Sequence, residues 1–159
     1  LQMENIILIG MPGCGKSTIG KKLAEELGKE FIDADQALEA HFGRPITDII
    51  PQDGEATFRA METEILQILG KKSSLIIATG GGCVTQNRNY PLLHQNGTIF
   101  WLKRDLQKLP IQGRPLSQKN KLSELYEVRK PLYQAFADIT IDNDGNAEQT
   151  IQQILEALK

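Results

Sequence analysis

Gly10-Met11-Pro12-Gly13-Cys14-Gly15-Lys16-Ser17 satisfies the spacing GxxxxGK[ST] in full. Its glycines permit the backbone angles that turn successive N–H groups toward one centre, as phosphate oxygens require. The N-terminus of a following helix adds partial positive charge, and Lys16 adds a whole one. Ser17 supplies a hydroxyl for Mg2+ at the β,γ-phosphates. The residues expected to bind the nucleotide are therefore Gly13, Cys14, Gly15, Lys16, Ser17 and Thr18.

A second group of residues could act on whatever accepts a phosphoryl group. Asp33-Ala34-Asp35 follows a short apolar run. Residues two apart in extended chain project to the same side, so both carboxylates can reach one cavity. One could hold the metal through water, and the other could take a hydroxyl proton. The six arginines stand at 44, 59, 88, 104, 114 and 129. Arg59 has Glu62 three residues on, the spacing of a surface ion pair. Arg114 sits beside Pro115 in a polar flap, where it could neutralise charge on a transferring phosphoryl group. Gly80-Gly81-Gly82 offers a further backbone cradle at a strand end, where α/β proteins place ligands.

Positioning these groups falls to alternating strands and helices. Short apolar runs at 5–9, 30–33, 75–79, 98–102 and 138–142 read as five strands. Helical spacing appears at Ile19, Leu23 and Leu27, which Gly28 closes, and Asp35 is the expected cap of a short helix to Phe42. Another helix runs from Glu55 to Leu69. Pro45, Pro51 and Gly54 punctuate the stretch before it. Residues 103–120 read as a flap, with a helix from about Ser123 and an amphipathic helix closing the chain. The pattern predicts an α/β fold, a parallel sheet of five strands flanked by helices.

Composition narrows the function classes. The 159 residues are 40% hydrophobic and 24% charged, with a formal net charge of −2. These values fit one folded domain and give no basic excess for a polyanion partner. No apolar run reaches the ~18 residues of a membrane span, and no signal-peptide pattern opens the chain. Cys14 and Cys83 lack metal-ligand spacing and read as reduced thiols, which points to the cytoplasm. His41 and His94 show no catalytic spacing, and Trp101 reads as core. The chain opens at Leu1 rather than Met, as a tag remnant or a piece of a longer, fused polypeptide would.

Taken in order, Gly10–Thr18, Asp33-Ala34-Asp35, Gly54-Glu55 with Phe58-Arg59 and Glu62, Thr79-Gly80-Gly81-Gly82, Arg114-Pro115-Leu116, and Arg129 before Pro131-Leu132-Tyr133 resemble the motif series of shikimate kinases. The resemblance runs from about Asn5 to the end. It implies the P-loop fold of nucleoside monophosphate kinases, in a single domain with a substrate-binding insertion at about 33–62 and a lid at about 104–120. It further implies transfer of the γ-phosphate of ATP, with Mg2+, to the 3-hydroxyl of shikimate. Asp35 would bind and deprotonate that hydroxyl, with Ser17 and Asp33 at the metal. Arg59 and Arg129 would clamp the carboxylate, with Gly81 and Gly82 as backbone contacts, while Lys16 and Arg114 steady the phosphoryl group. A planar guanidinium fork suits a carboxylate on independent grounds. Three departures stand out: the stretch from Arg114 to Arg129 is shorter than is usual, Ser117 follows Arg114-Pro115-Leu116 where the family often has leucine, and Lys108 is the nearest basic residue at the place of a lid arginine. A monomer is expected.

Other readings are weaker. A gluconate or nucleotide kinase of the same architecture would share the phosphate loop, but a nucleotide acceptor needs phosphate clamps and a base pocket. Asn120-Lys121-Leu122-Ser123 superficially matches a guanine-reading Asn-Lys-x-Asp, yet Ser123 lacks the carboxylate. A catalytically dead binding domain would be expected to have lost Lys16 or Asp35.

Overall fold

The computed structural model describes residues 4–106 and 116–159, with backbone alone for 116–120. Five strands form one parallel sheet: β1 (Asn5–Ile9), β2 (Glu30–Asp33), β3 (Leu75–Ala78), β4 (Gly97–Lys103) and β5 (Ile139–Asp142), in the order β2-β3-β1-β4-β5. Both β1 and β3 are buried along their whole length. Such strands must be apolar on both faces, which explains the continuous Ile/Leu runs rather than alternation.

Seven α-helices accompany the sheet among the described residues: α1 (Lys16–Leu27), α2 (Ala34–Phe42), α3 (Ile46–Asp53), α4 (Glu55–Gly70), α5 (Asn89–His94), α6 (Leu116–Phe136) and α7 (Ala147–Leu158). The apolar rows expected of them are buried, Ile19 and Leu23 on α1 and Ile65, Leu66 and Leu69 on α4. Trp101 lies in the core and stacks on Tyr133 of α6 at 5.6 Å. Asn146 and Gln149 form a reciprocal capping box that starts α7. No helix among the described residues is long and apolar enough to cross a membrane.

Several expectations change. Asp33, not Asp35, caps α2: its Oδ1 accepts the backbone N–H groups of Asp35 at 2.9 Å and Gln36 at 3.1 Å. The helix begins at Ala34, so Asp33 and Asp35 do not share an extended segment. Asp33→Ala should therefore lower stability by about 1 kcal/mol and Asp33→Asn by much less, read as urea midpoints. Pro51 lies inside α3 instead of ending it; Gly54, at φ 92°, does that. Helix α6 starts at Leu116, about two turns before the expected Ser123, because Ser117, Gln118, Lys119 and Asn120 carry no apolar row that would betray a helix. The Asn120–Ser123 tetrapeptide thus lies within a helix, not in a strand-end loop. Helix α5 went unread, although Tyr90 and Leu93 hold a helical spacing.

Candidate active site

The site is built where β1, β2 and β3 end. Gly10 closes β1, and the loop from it turns back on itself through a Cys14 N–H bond to the Met11 carbonyl at 3.2 Å. Gly15, at φ 99° and ψ 17°, sits in the left-handed region as it delivers the chain into α1. A side chain there would be strained, which is the physical content of the motif's last glycine. Lys16 is buried, its ammonium donating to the Gly10 carbonyl at 2.8 Å and the Met11 carbonyl at 3.0 Å. The loop thus orients its own lysine. Cys14 is buried too, and Asn143, just past β5, donates from its amide to the Cys14 carbonyl at 2.6 Å.

A cleft of about 510 Å3 opens above this loop. Gly13, Gly15, Lys16, Ser17 and Thr18 line one side, and Asp33, Asp35, Thr79, Gly80 and Gly81 the other. Cys14 does not line it. The two aspartates share the cleft from unlike positions, Asp33 at the cap and Asp35 in the first turn of α2. Ser17 Oγ donates to Asp33 Oδ2 at 3.1 Å, so the two residues expected at a metal already touch. Hydroxyl and carboxylate oxygens are the hard donors Mg2+ takes, usually with several waters retained. The donor set fits that ion. Burial first, and then the neighbouring Asp33 charge, hold the Asp35 carboxyl above the ordinary range, while Lys16 and Arg59 pull it back.

Arg59 and Arg129 line a second cleft, of about 680 Å3, with Glu55, Thr85, Gln86, Arg88, Leu125 and Val128. Arg59 is fixed from two sides, donating to Glu62 Oε1 at 2.9 Å and to Glu55 Oε1 at 3.3 Å. Burial alone would lower its proton affinity, but the charge and hydrogen bond of Glu62 raise it above the usual value. Glu62 is no surface partner: its side chain is 4% exposed. Nε of Arg129 is buried with no hydrogen-bond partner.

The glycine turn after β3 separates the clefts at close quarters. A Cβ on Gly82 would stand 2.4 Å from Arg59 Nη2, and one on Gly81 would stand 2.8 Å from a Pro12 carbon. Gly82 therefore backs onto the arginine without lining either cleft. Tyr133, four residues after Arg129, donates its hydroxyl to the Gly81 carbonyl at 2.6 Å and ties α6 to the turn. Burial pushes the nearby Cys83 thiol up to about 12, so it stays protonated and unreactive. The expected thiols are both free. Arg114 and Lys108 lie outside the described residues. Sequence reasoning missed the burial of Glu62 and the roles of Tyr133 and Asn143; the helical step from Arg129 to Tyr133 was the one available signal.

Comparison with known proteins gives a consistent result. A family model described as shikimate kinase matches residues 12–159. A shikimate kinase of Persephonella marina is 40% identical over 166 residues, covering 99% of this chain and all of that protein. A shikimate kinase from Acinetobacter baumannii, solved in complex with shikimate, superposes with a TM-score of 0.88 at 37% identity, covering 98% of this chain and 93% of that one. The enzyme from Aquifex aeolicus gives 0.85 at 31% identity, with 97% and 95% covered.

Proposed function

Because the chain belongs to the shikimate kinase family, we propose that it transfers the γ-phosphoryl group of ATP to the 3-hydroxyl of shikimate, with Asp35 as the base. Its fold is that of the P-loop kinases similar to nucleoside monophosphate kinases. The observation that supports the mechanism is one glycine turn beside two unlike clefts, with Gly80 and Gly81 lining the first and Gly82 backing onto Arg59 of the second. One holds a phosphate loop and a carboxylate of raised proton affinity; the other holds two arginines. A hydroxylated carboxylate can satisfy both at once.

In this reading, Arg59 and Arg129 hold the substrate carboxylate in their guanidinium forks, and the Nε of Arg129 gains an acceptor. That anchorage directs the ring hydroxyl toward Asp35. Asp35 takes the hydroxyl proton as the oxygen bonds to the γ-phosphorus and the bond to the β,γ-bridging oxygen breaks, releasing ADP. Lys16 and the N-terminus of α1 offset the charge on the phosphate oxygens. Ser17 and Asp33 would hold Mg2+, which supplies charge neutralisation at the β- and γ-phosphates. From its place in the sequence, Arg114 adds a further positive charge to the transferring group. Residues 33–62 serve as the substrate-binding insertion and 104–120 as the lid. Both free thiols suit a reducing, cytoplasmic setting.

Release of ADP from ATP alone, and then with shikimate, gluconate or AMP added, tests the substrate. Shikimate alone among the three should stimulate turnover. Stimulation by gluconate or AMP and not by shikimate would replace this assignment with the other kinase readings.

A further inference from the structure

Asn143, one residue past β5, is a buried amide that ties the phosphate loop to the end of β4 and to α7. It is 3% exposed, and Thr150 behind it on α7 is fully buried. Its Nδ2 donates to the Cys14 carbonyl at 2.6 Å, and its Oδ1 accepts the Thr150 hydroxyl at 2.5 Å. Its backbone N–H donates to the Lys103 carbonyl at 2.8 Å, and its own carbonyl accepts Nη1 of Arg104 at 2.5 Å. A carbonyl can only accept, so the donor end of the amide must face Cys14 and its oxygen must face Thr150. Asparagine suits the place because it carries a donor and an acceptor on one short stem.

The bond to Cys14 bears on the nucleotide through geometry. The peptide joining Cys14 to Gly15 is planar and trans, so its C=O and N–H point in opposite directions. Asn143 holds the C=O on the protein side, while Gly15 lines the nucleotide cleft. The Gly15 N–H is thereby turned toward the cleft. Gly15 has the left-handed φ of 99° and no side chain to restrain it, so this is where the loop most needs an outside hold. A Cβ built on Gly15 would lie 3.4 Å from Asn143 Nδ2, which places the amide against the residue it orients. Cys14 is 1% exposed, and what it offers the site is this carbonyl rather than its thiol.

Resting on the assignment of the phosphate loop to ATP, we infer that Asn143 is a positioning residue for the nucleotide. Its amide sets the Cys14–Gly15 peptide so that the Gly15 N–H meets a phosphate oxygen. It touches no substrate itself. Because the peptide is held before the nucleotide arrives, the bond to the charged oxygen is not offset by ordering a glycine on binding. Thr150 fixes the amide from behind. The effect applies to ATP and ADP alike, since both bring phosphates to the loop, and it does not reach the arginine cleft.

Asn143→Leu, similar in size but without a donor, is compared with Thr150→Val, which keeps the bond to Cys14 and removes only the hydroxyl behind it. Each is titrated calorimetrically with ADP and with shikimate, and melting temperatures and both KM values are measured. Both variants should melt lower, since each leaves a buried polar group without its partner. Asn143→Leu should bind ADP roughly five- to thirtyfold more weakly, with KM for ATP raised by a similar factor. Its affinity for shikimate should stay within about twofold of normal, and Thr150→Val should bind ADP within about threefold of normal. Unchanged ADP affinity in Asn143→Leu, an equal loss for shikimate, or an equal loss of ADP affinity in Thr150→Val would overturn the inference and leave Asn143 as a tie within the fold. The unsubstituted protein gives a reading that needs no variant. Its Gly15 amide proton should shift downfield when ADP is added, and an unmoved Gly15 signal in the ADP complex would overturn the inference. Failure of the phosphate-loop assignment looks different, since the unsubstituted protein would then bind no ADP.

Discussion

Asp35→Asn should reduce kcat by about 10^2- to 10^4-fold, the usual worth of a positioned general base. Affinity for ATP should change little. The substitution is isosteric, and the cap of α2 is Asp33, so the helix keeps both capping bonds. Lys16, the phosphate loop and the Ser17–Asp33 pair are likewise untouched. Steady-state ADP release gives kcat, and calorimetric titration with ATP gives the affinity. A variant within about tenfold of normal turnover would remove Asp35 from the base role. A parallel loss of ATP affinity would show that the residue supports the nucleotide cleft instead.

Arg59→Ala should raise KM for shikimate by roughly 30- to 4,000-fold, with KM for ATP nearly unchanged. The figure follows from truncating one partner of a buried, hydrogen-bonded ion pair, ~2–5 kcal/mol, at about 1.4 kcal/mol per tenfold. The Arg59 side chain is 12% exposed, which limits screening by solvent. Arg59→Lys should recover only part of the loss, because an ammonium cannot reproduce the planar fork. The alanine variant also strands the Glu62 carboxylate in a buried site, so its melting temperature should fall measurably. Equal losses for shikimate and ATP would count against a carboxylate clamp.

The parts of the site that follow from local chain chemistry were legible in the sequence. The phosphate loop needs particular residues at consecutive positions, and the strand before it and helix after it show in apolar spacing. Strands β1, β3 and most of β4 were legible for the same reason, since a strand buried on both faces leaves a continuous apolar run, whereas the edge strands β2 and β5 show only as short mixed runs. What depends on packing between distant segments was not. Glu62 three residues after Arg59 looks like an exposed helical pair, yet it is buried, with the turn after β3 close to its second carboxylate oxygen. Asp33 and Asp35 do reach one cleft, but through a helix start rather than an extended segment. The swap of cap and free carboxylate depends on whether the helix begins two residues earlier, which propensity does not resolve. Gly82 is expected as a backbone contact to substrate, and packing gives a separate reason for a glycine there, since a Cβ would stand 2.4 Å from Arg59 Nη2. The first two turns of α6 escaped because their polar residues carry no apolar period.

If the two clefts act on one acceptor, the γ-phosphoryl group is joined to the 3-hydroxyl of a carboxylate-anchored ring. The most direct measurement is phosphorus and proton NMR of the product formed from ATP and shikimate. A single phosphomonoester signal coupled to the proton on carbon 3, formed in step with ADP, is the predicted result. A phosphate on another hydroxyl, or inorganic phosphate with no phosphomonoester, would contradict it.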